Sequence, residues 1–186
     1  MKNVVLKKKV NGYIIEIVID ENPCNPREDC NLGKMYCFHR KYNLGDKHTY
    51  NPMYYNGWGE FKQTLIKDEK VCVILPVYIY DHSGITINTT GFSCPWDSGQ
   101  IGFIFATKED VRKEYGVKRI TKEIRKKVEN ILIGEVKTFD KYLNGESYGY
   151  IISKKNEDGT KEYIGSCFGY DDKEDCMREA ELQIED

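Results

Sequence analysis

The densest apolar pattern in the chain lies between residues 71 and 106, VCVILPVYIYDHSGITINTTGFSCPWDSGQIGFIFA. Two β-branched and aromatic runs, 71–80 and 100–106, flank a polar middle that carries DHSG and CPWDSG. Runs of this length and composition predict buried strands. The middle predicts an exposed loop system, with DHSG turning the chain into a short strand at 85–89 and so a hairpin. Pro76 lacks the N–H that a ladder needs, which places it at an edge position or a bulge. Near the start, VVLKKKV and YIIEIVI flank Asn11-Gly12, a strong hairpin signal over 3–20. In the second of these strands Tyr13, Ile15 and Ile17 share one face, and Ile14, Glu16 and Val18 the other. Both faces are largely apolar, so cover is expected on both sides.

Helical spacing appears in four places. Trp58, Phe61, Leu65 and Ile66 define a short helix over 58–69. Thr107 opens a second, with Asp110 three residues on, and Gly116 ends it. Thr121 opens the longest helix. Its stripe of Ile124, Val128, Ile131, Leu132, Val136, Phe139 and Leu143 faces the core, and Asn144-Gly145 terminates it. Gly134 within it marks a close packing contact or a bend. Residues 147–153 and 161–168 form a third hairpin across 156–159. Asp171-Asp172 then opens an acidic helix, about 171–185, with Met177, Ala180 and Ile184 facing inward. Residues 21–56 are a loop-rich insertion, broken by three Pro and two Gly, in which only 34–40 reads as a strand. The expected architecture is a single α+β domain over 1–186: a mostly antiparallel sheet of three hairpins plus single strands, with four helices packed on it.

Composition adds little to that picture, and charge adds more. No apolar run approaches a spanning helix or a signal peptide, and seven Cys is an odd number, so an intracellular, cytoplasmic protein with reduced thiols and no membrane partner is expected. The net charge of −2 conceals a separation. Residues 108–127 hold nine basic and four acidic side chains, net +5, whereas 157–186 hold eleven acidic and three basic, net −8. Separation on this scale steers charged partners.

Three constellations could carry chemistry. Cys94 and His82, with Asp97 and Asp81 as orienting carboxylates, offer the parts of a thiol nucleophile. The structural alternative, which we expect, is that Pro95 and Trp96 fold the CPWDSG loop down as a plug. Cys24, Cys37 and His39, joined by Cys30, form a weak zinc set, because the spacing lacks a tight C-x2-4-C knuckle. Neither G-x-x-x-x-G-K-[ST] nor G-x-G-x-x-G occurs, and no cofactor is expected. The basic stretch 108–127 could bind DNA, although only Tyr115 stands beside it for base stacking.

ENPCNPREDCNLGKMYCFHRKYNLGDKH, LPVYIYDHSGITINTTGFSCPWDSGQIGFIFATKEDVRKEYG and the later SYGYIISKKN, GSCFGY and DCMREA together resemble a family of small uncharacterised proteins of Firmicutes phages and mobile elements. The chain departs from that family at Asp29, where the family has an aromatic, and at Cys30, where it has an acidic residue. The second departure weighs against zinc. The resemblance implies an accessory product made inside a bacterial host, and no reaction. The expected function is a binder that inhibits a host protein, such as a defence nuclease complex of the CRISPR or restriction type. Asp171, Asp172, Glu174, Asp175 and Glu179 are its expected contact residues, presenting carboxylates to cations that normally hold phosphate.

Overall fold

Asn11 and Gly12 both take positive φ, 51° and 82°, as a two-residue hairpin turn requires. They join β1 (Val4–Val10) to β2 (Tyr13–Ile19). The computed structural model describes residues 3–156 and 159–184. The remaining strands are β3 (Lys34–Cys37), β4 (Val71–Asp81), β5 (Ile85–Asn88), β6 (Ser98–Thr107), β7 (Tyr148–Lys155) and β8 (Lys161–Tyr170). The helices are α1 (Trp58–Asp68), α2 (Lys108–Tyr115), α3 (Lys122–Leu143) and α4 (Lys173–Leu182). The fold is α+β and built on antiparallel hairpins, as expected, and every pairing of the described strands is antiparallel. The strands divide between two sheets, ordered β1-β2-β7-β8 and β3-β6-β4-β5.

Two compact units follow from this division. The terminal unit comprises the described residues of Met1–Asn25 and Lys141–Asp186. Here the first hairpin meets the last one, β2 against β7, with Ile15 opposite Ile152 and Ile17 opposite Tyr150. Those four side chains face α4, which covers them with Cys176, Met177 and Ala180. The opposite face carries Ile14, Val18 and Ile151, also buried, so both faces of β2 are covered. Asp172 caps α4 by accepting from the N–H groups of Glu174 and Asp175. The turn expected at 156–159 includes Glu157 and Asp158, which lie outside the described residues.

The central unit is Pro26–Asp140. Its sheet pairs β4 with β6 along most of their length, Val71 opposite Thr107 at one end and Tyr80 opposite Ser98 at the other. Pro76 is tolerated for the expected reason. β5 pairs only with Tyr78–Asp81, so β4 is locally an edge at Pro76, and the register with β6 shifts just beyond it, between Val77 and Tyr78. One face of the sheet buries Phe103 and Phe105 against Phe61 and Leu65 of α1, inside an aromatic cluster that includes Tyr36, Phe38, Tyr50 and Trp58. The caps of α2 form as its sequence predicts: Thr107 Oγ1 accepts from the Asp110 N–H, and Gly116 takes the left-handed conformation, φ 61°.

Two details of α3 correct the expected stripe. Val128, Leu132, Val136 and Phe139 are buried, but Ile131 is 37% exposed. Leu132 and Val128 already fill the inward direction, and Ile131 falls about 100° away from Leu132 around the helix. At Gly134 a methyl would meet nothing within 4 Å, so no close packing explains that glycine.

Candidate functional site

The two strands that dominate the sequence pattern put the candidate residues at opposite ends of the central sheet. β6 is ten residues long, so the ends are about 30 Å apart.

At one end, the Asp81 N–H donates to the Asp97 carbonyl at 2.8 Å, closing the DHSG loop onto the CPWDSG loop. This brings His82, Cys94 and Asp97 together. Asp97 Oδ2 lies 3.2 Å from His82 Nδ1 and accepts from Cys94 Sγ at 3.7 Å. The order is therefore thiol–carboxylate–imidazole. A nucleophilic relay instead puts the imidazole against the thiol. Asp81 turns elsewhere, to Lys41 at 3.5 Å and the Tyr42 hydroxyl at 3.4 Å. Ser98 Oγ donates to the Cys94 carbonyl and fixes the loop backbone. His82 stacks beside Tyr80 and stays largely in water. Trp96 corrects the plug: it is 92% exposed. The Asp81–Asp97 backbone bond and the Ser98–Cys94 bond already hold the loop, and Trp96 is left at its tip.

The zinc candidates do not assemble into a site. Among the described residues no three His, Cys, Asp or Glu side chains gather to hold a metal. Cys24 is exposed, whereas Cys37 is buried and desolvation pushes its thiol up to about 12. His39 Nδ1 accepts from the Lys41 and Tyr42 N–H groups, and its ring stacks on Tyr42. These contacts make His39 a turn cap.

The basic stretch starts at the other end of the sheet. The Lys108 N–H donates to the Lys70 carbonyl at 3.1 Å, joining the start of α2 to the turn before β4. Arg125 Nη1 donates to the Cys72 carbonyl, which brings the first turns of α3 to the same end. Lys70, Lys108, Glu109 and Arg112 line a groove of about 320 Å³. All nine cations of 108–127 are exposed. Among the described residues, Lys108, Arg112, Lys113, Lys118, Arg119, Lys122, Lys126 and Lys127 form no ion pair. Exposed like charges at this density repel one another until an anion joins them.

The acidic helix behaves differently. Asp172 is occupied as the cap of α4, and the Asp175 N–H hydrogen bond is the first reason its carboxyl lies below the usual range. Asp175 pairs with Arg178 at 2.6 Å and Asp171 with Lys141 at 3.4 Å. Of the five expected contact carboxylates, Glu174 and Glu179 form no ion pair among the described residues, and Glu174 has a side-chain contact with Asp172.

The sequence reading missed Arg27. Its guanidinium is bidentate on Asp46, at 3.0 and 2.7 Å, reaches Glu135 at 3.0 Å and donates to the Gly33 carbonyl at 2.6 Å. Glu135 in turn accepts from the Leu32 and Gly33 N–H groups, and Asp46 from that of Met35. This cluster gives the 21–56 insertion its order where regular structure is sparse. Within NPREDC, Arg27 reads as one more surface charge. The one local signal is Gly45 beside Asp46, which takes φ 75° against the Met35 carbonyl.

No family model, curated protein or solved structure matches the chain.

Proposed function

We propose that this chain is a binding protein that engages nucleic acid through the basic end of its central unit. The observation that carries this reading is the groove lined by Lys70, Lys108 and Arg112, in a stretch whose eight exposed cations form no ion pair among the described residues. Phosphates would replace their mobile counterions, and release of those ions drives association. Tyr115 is the sole aromatic among 108–127, which favours backbone contact over base stacking and hence little sequence preference. The resemblance to phage and mobile-element products supports a role in which the bound strand is withheld from a host nuclease. The test is fluorescence anisotropy with a short DNA duplex. Affinity should fall about 10³-fold or more between about 50 and 200 mM salt. The K118E/R119E/K122E variant should abolish binding. Salt-insensitive binding, or binding unchanged in that variant, would overturn the proposal.

Glu174 and Glu179 favour a second reading, in which α4 docks on a cationic surface of a host defence nuclease and inhibits it. The E174K/E179K variant would then lose inhibition of the nuclease while keeping DNA binding. Retained inhibition would sink this second reading alone.

A further inference from the structure

The terminal unit carries a groove of about 500 Å³ on the face of its sheet turned away from α4. Strand register builds it. Val18, Gly149 and Phe168 lie opposite one another across β2, β7 and β8, as do Glu16, Ile151 and Ser166. Val18 and Ile151 form an apolar floor. Gly149 contributes no side chain, and a methyl there would run into the Phe168 ring, so the ring lies directly over the glycine. Phe168 and Tyr163 stand as walls, 47% and 64% exposed. The Tyr163 hydroxyl and Ser166 Oγ are hydrogen-bonded at 2.8 Å, which steadies the outer wall.

The rim is acidic. Asp20 and Glu21 both line the groove, and among the described residues neither is in an ion pair. Asp20 is held in place from both sides: its N–H donates to the Ser147 carbonyl, and its Oδ1 accepts from the Asn22 N–H. Aromatic faces and carboxylates over an apolar floor attract the same chemistry, a cation on an aliphatic stem.

We propose that this groove binds a segment of a partner protein that presents Arg or Lys. The cation sits between the aromatic walls and the Asp20–Glu21 rim, with its aliphatic stem against Phe168 and Tyr163. The site is independent of the basic end of the central unit and survives the failure of that reading.

The test is amide NMR on the full chain with two probes, acetyl-Val-Arg-Val-Arg-Val-amide and its Glu counterpart. The Arg peptide should shift the amides of Val18, Ile151 and Phe168, and the Glu peptide should bind about tenfold or more weakly. D20N/E21Q removes both rim charges while leaving an amide oxygen to accept from the Asn22 N–H, and should weaken the Arg peptide by about tenfold. Three results would each overturn the proposal: equal binding of the two peptides, no shifts at these amides, or an Arg-peptide affinity unchanged by D20N/E21Q. Shifts of the same amides on dilution without peptide would also overturn it, by marking the groove as a contact between copies.

Discussion

Arg27 and Asp46 form a two-point ion pair, Nε to Oδ1 at 3.0 Å and Nη2 to Oδ2 at 2.7 Å, with the Arg27 side chain only 3% exposed. Burial works against the guanidinium charge, but Asp46 and then Glu135 outweigh it and the group is held protonated. Removing the cation leaves two carboxylates facing each other with no compensating charge. Arg27→Met should therefore cost about 3–5 kcal/mol, read from the urea unfolding midpoint. Arg27→Lys should recover only part of the loss, because an ammonium cannot reproduce the fork that spans Asp46 and Glu135. Wild-type stability in Arg27→Met would show that the cluster does not hold the insertion together.

The contrast between Arg27 and Thr107 explains what the sequence makes legible. Thr107, Asp110 and Gly116 act within one helix, so their spacing alone announces the caps. Asn11-Gly12 announces its hairpin in the same way. Arg27, Asp46 and Glu135 meet across more than a hundred residues of chain, and no local pattern encodes that meeting. The division into two sheets is of the same kind, since the pairing of β2 with β7 joins the two ends of the sequence. The CPWDSG loop falls between these cases. Its closeness to DHSG follows from the strand register, but the outward direction of Trp96 depends on backbone bonds that no side-chain pattern reveals.

Gly134 sits in the exposed interior of α3 with open space around its Cβ position. It takes no positive φ, so alanine fits the native backbone. Gly134→Ala should raise stability by about 1 kcal/mol, through helix propensity and a less disordered unfolded chain. A shift of the denaturation midpoint to higher urea at unchanged slope checks it. A loss of stability would mean that the helix bends at this residue.

Glu16 accepts from Lys7 at 2.5 Å, with Lys161 at 3.7 Å. The Lys7 hydrogen bond is the main reason its carboxyl lies below the ordinary glutamate range. Partial desolvation opposes that shift and Lys161 reinforces it. A depressed folded-state pKa stabilises the protein at pH values above the unfolded pKa, and that contribution disappears as pH falls through the folded one. In an NMR titration Glu16 should therefore protonate at a lower pH than an unpaired glutamate, and Lys7→Met should move its midpoint upward. An unmoved midpoint would mean that Lys7 spends its time in solvent.

Thiol chemistry separates a binding protein from a cysteine enzyme. Cys37 and Cys176 are buried, and desolvation pushes each thiol up to about 12. The thiolate is the reactive species, so neither should label with iodoacetamide until the chain unfolds. Cys24, Cys30 and Cys167 are exposed and should label in the native protein. Cys94 is the deciding residue. Its Sγ donates to Asp97, whose Oδ2 also holds His82. The imidazole that a nucleophilic relay needs against the sulfur is engaged by that same carboxylate oxygen instead. Cys94 should therefore label no faster than Cys24 at neutral pH, and Asp97→Asn should not slow it. If Cys94 instead labels about tenfold or more faster than Cys24, and His82→Ala removes the difference, the loop pair is a nucleophilic site and this end of the sheet carries a reaction.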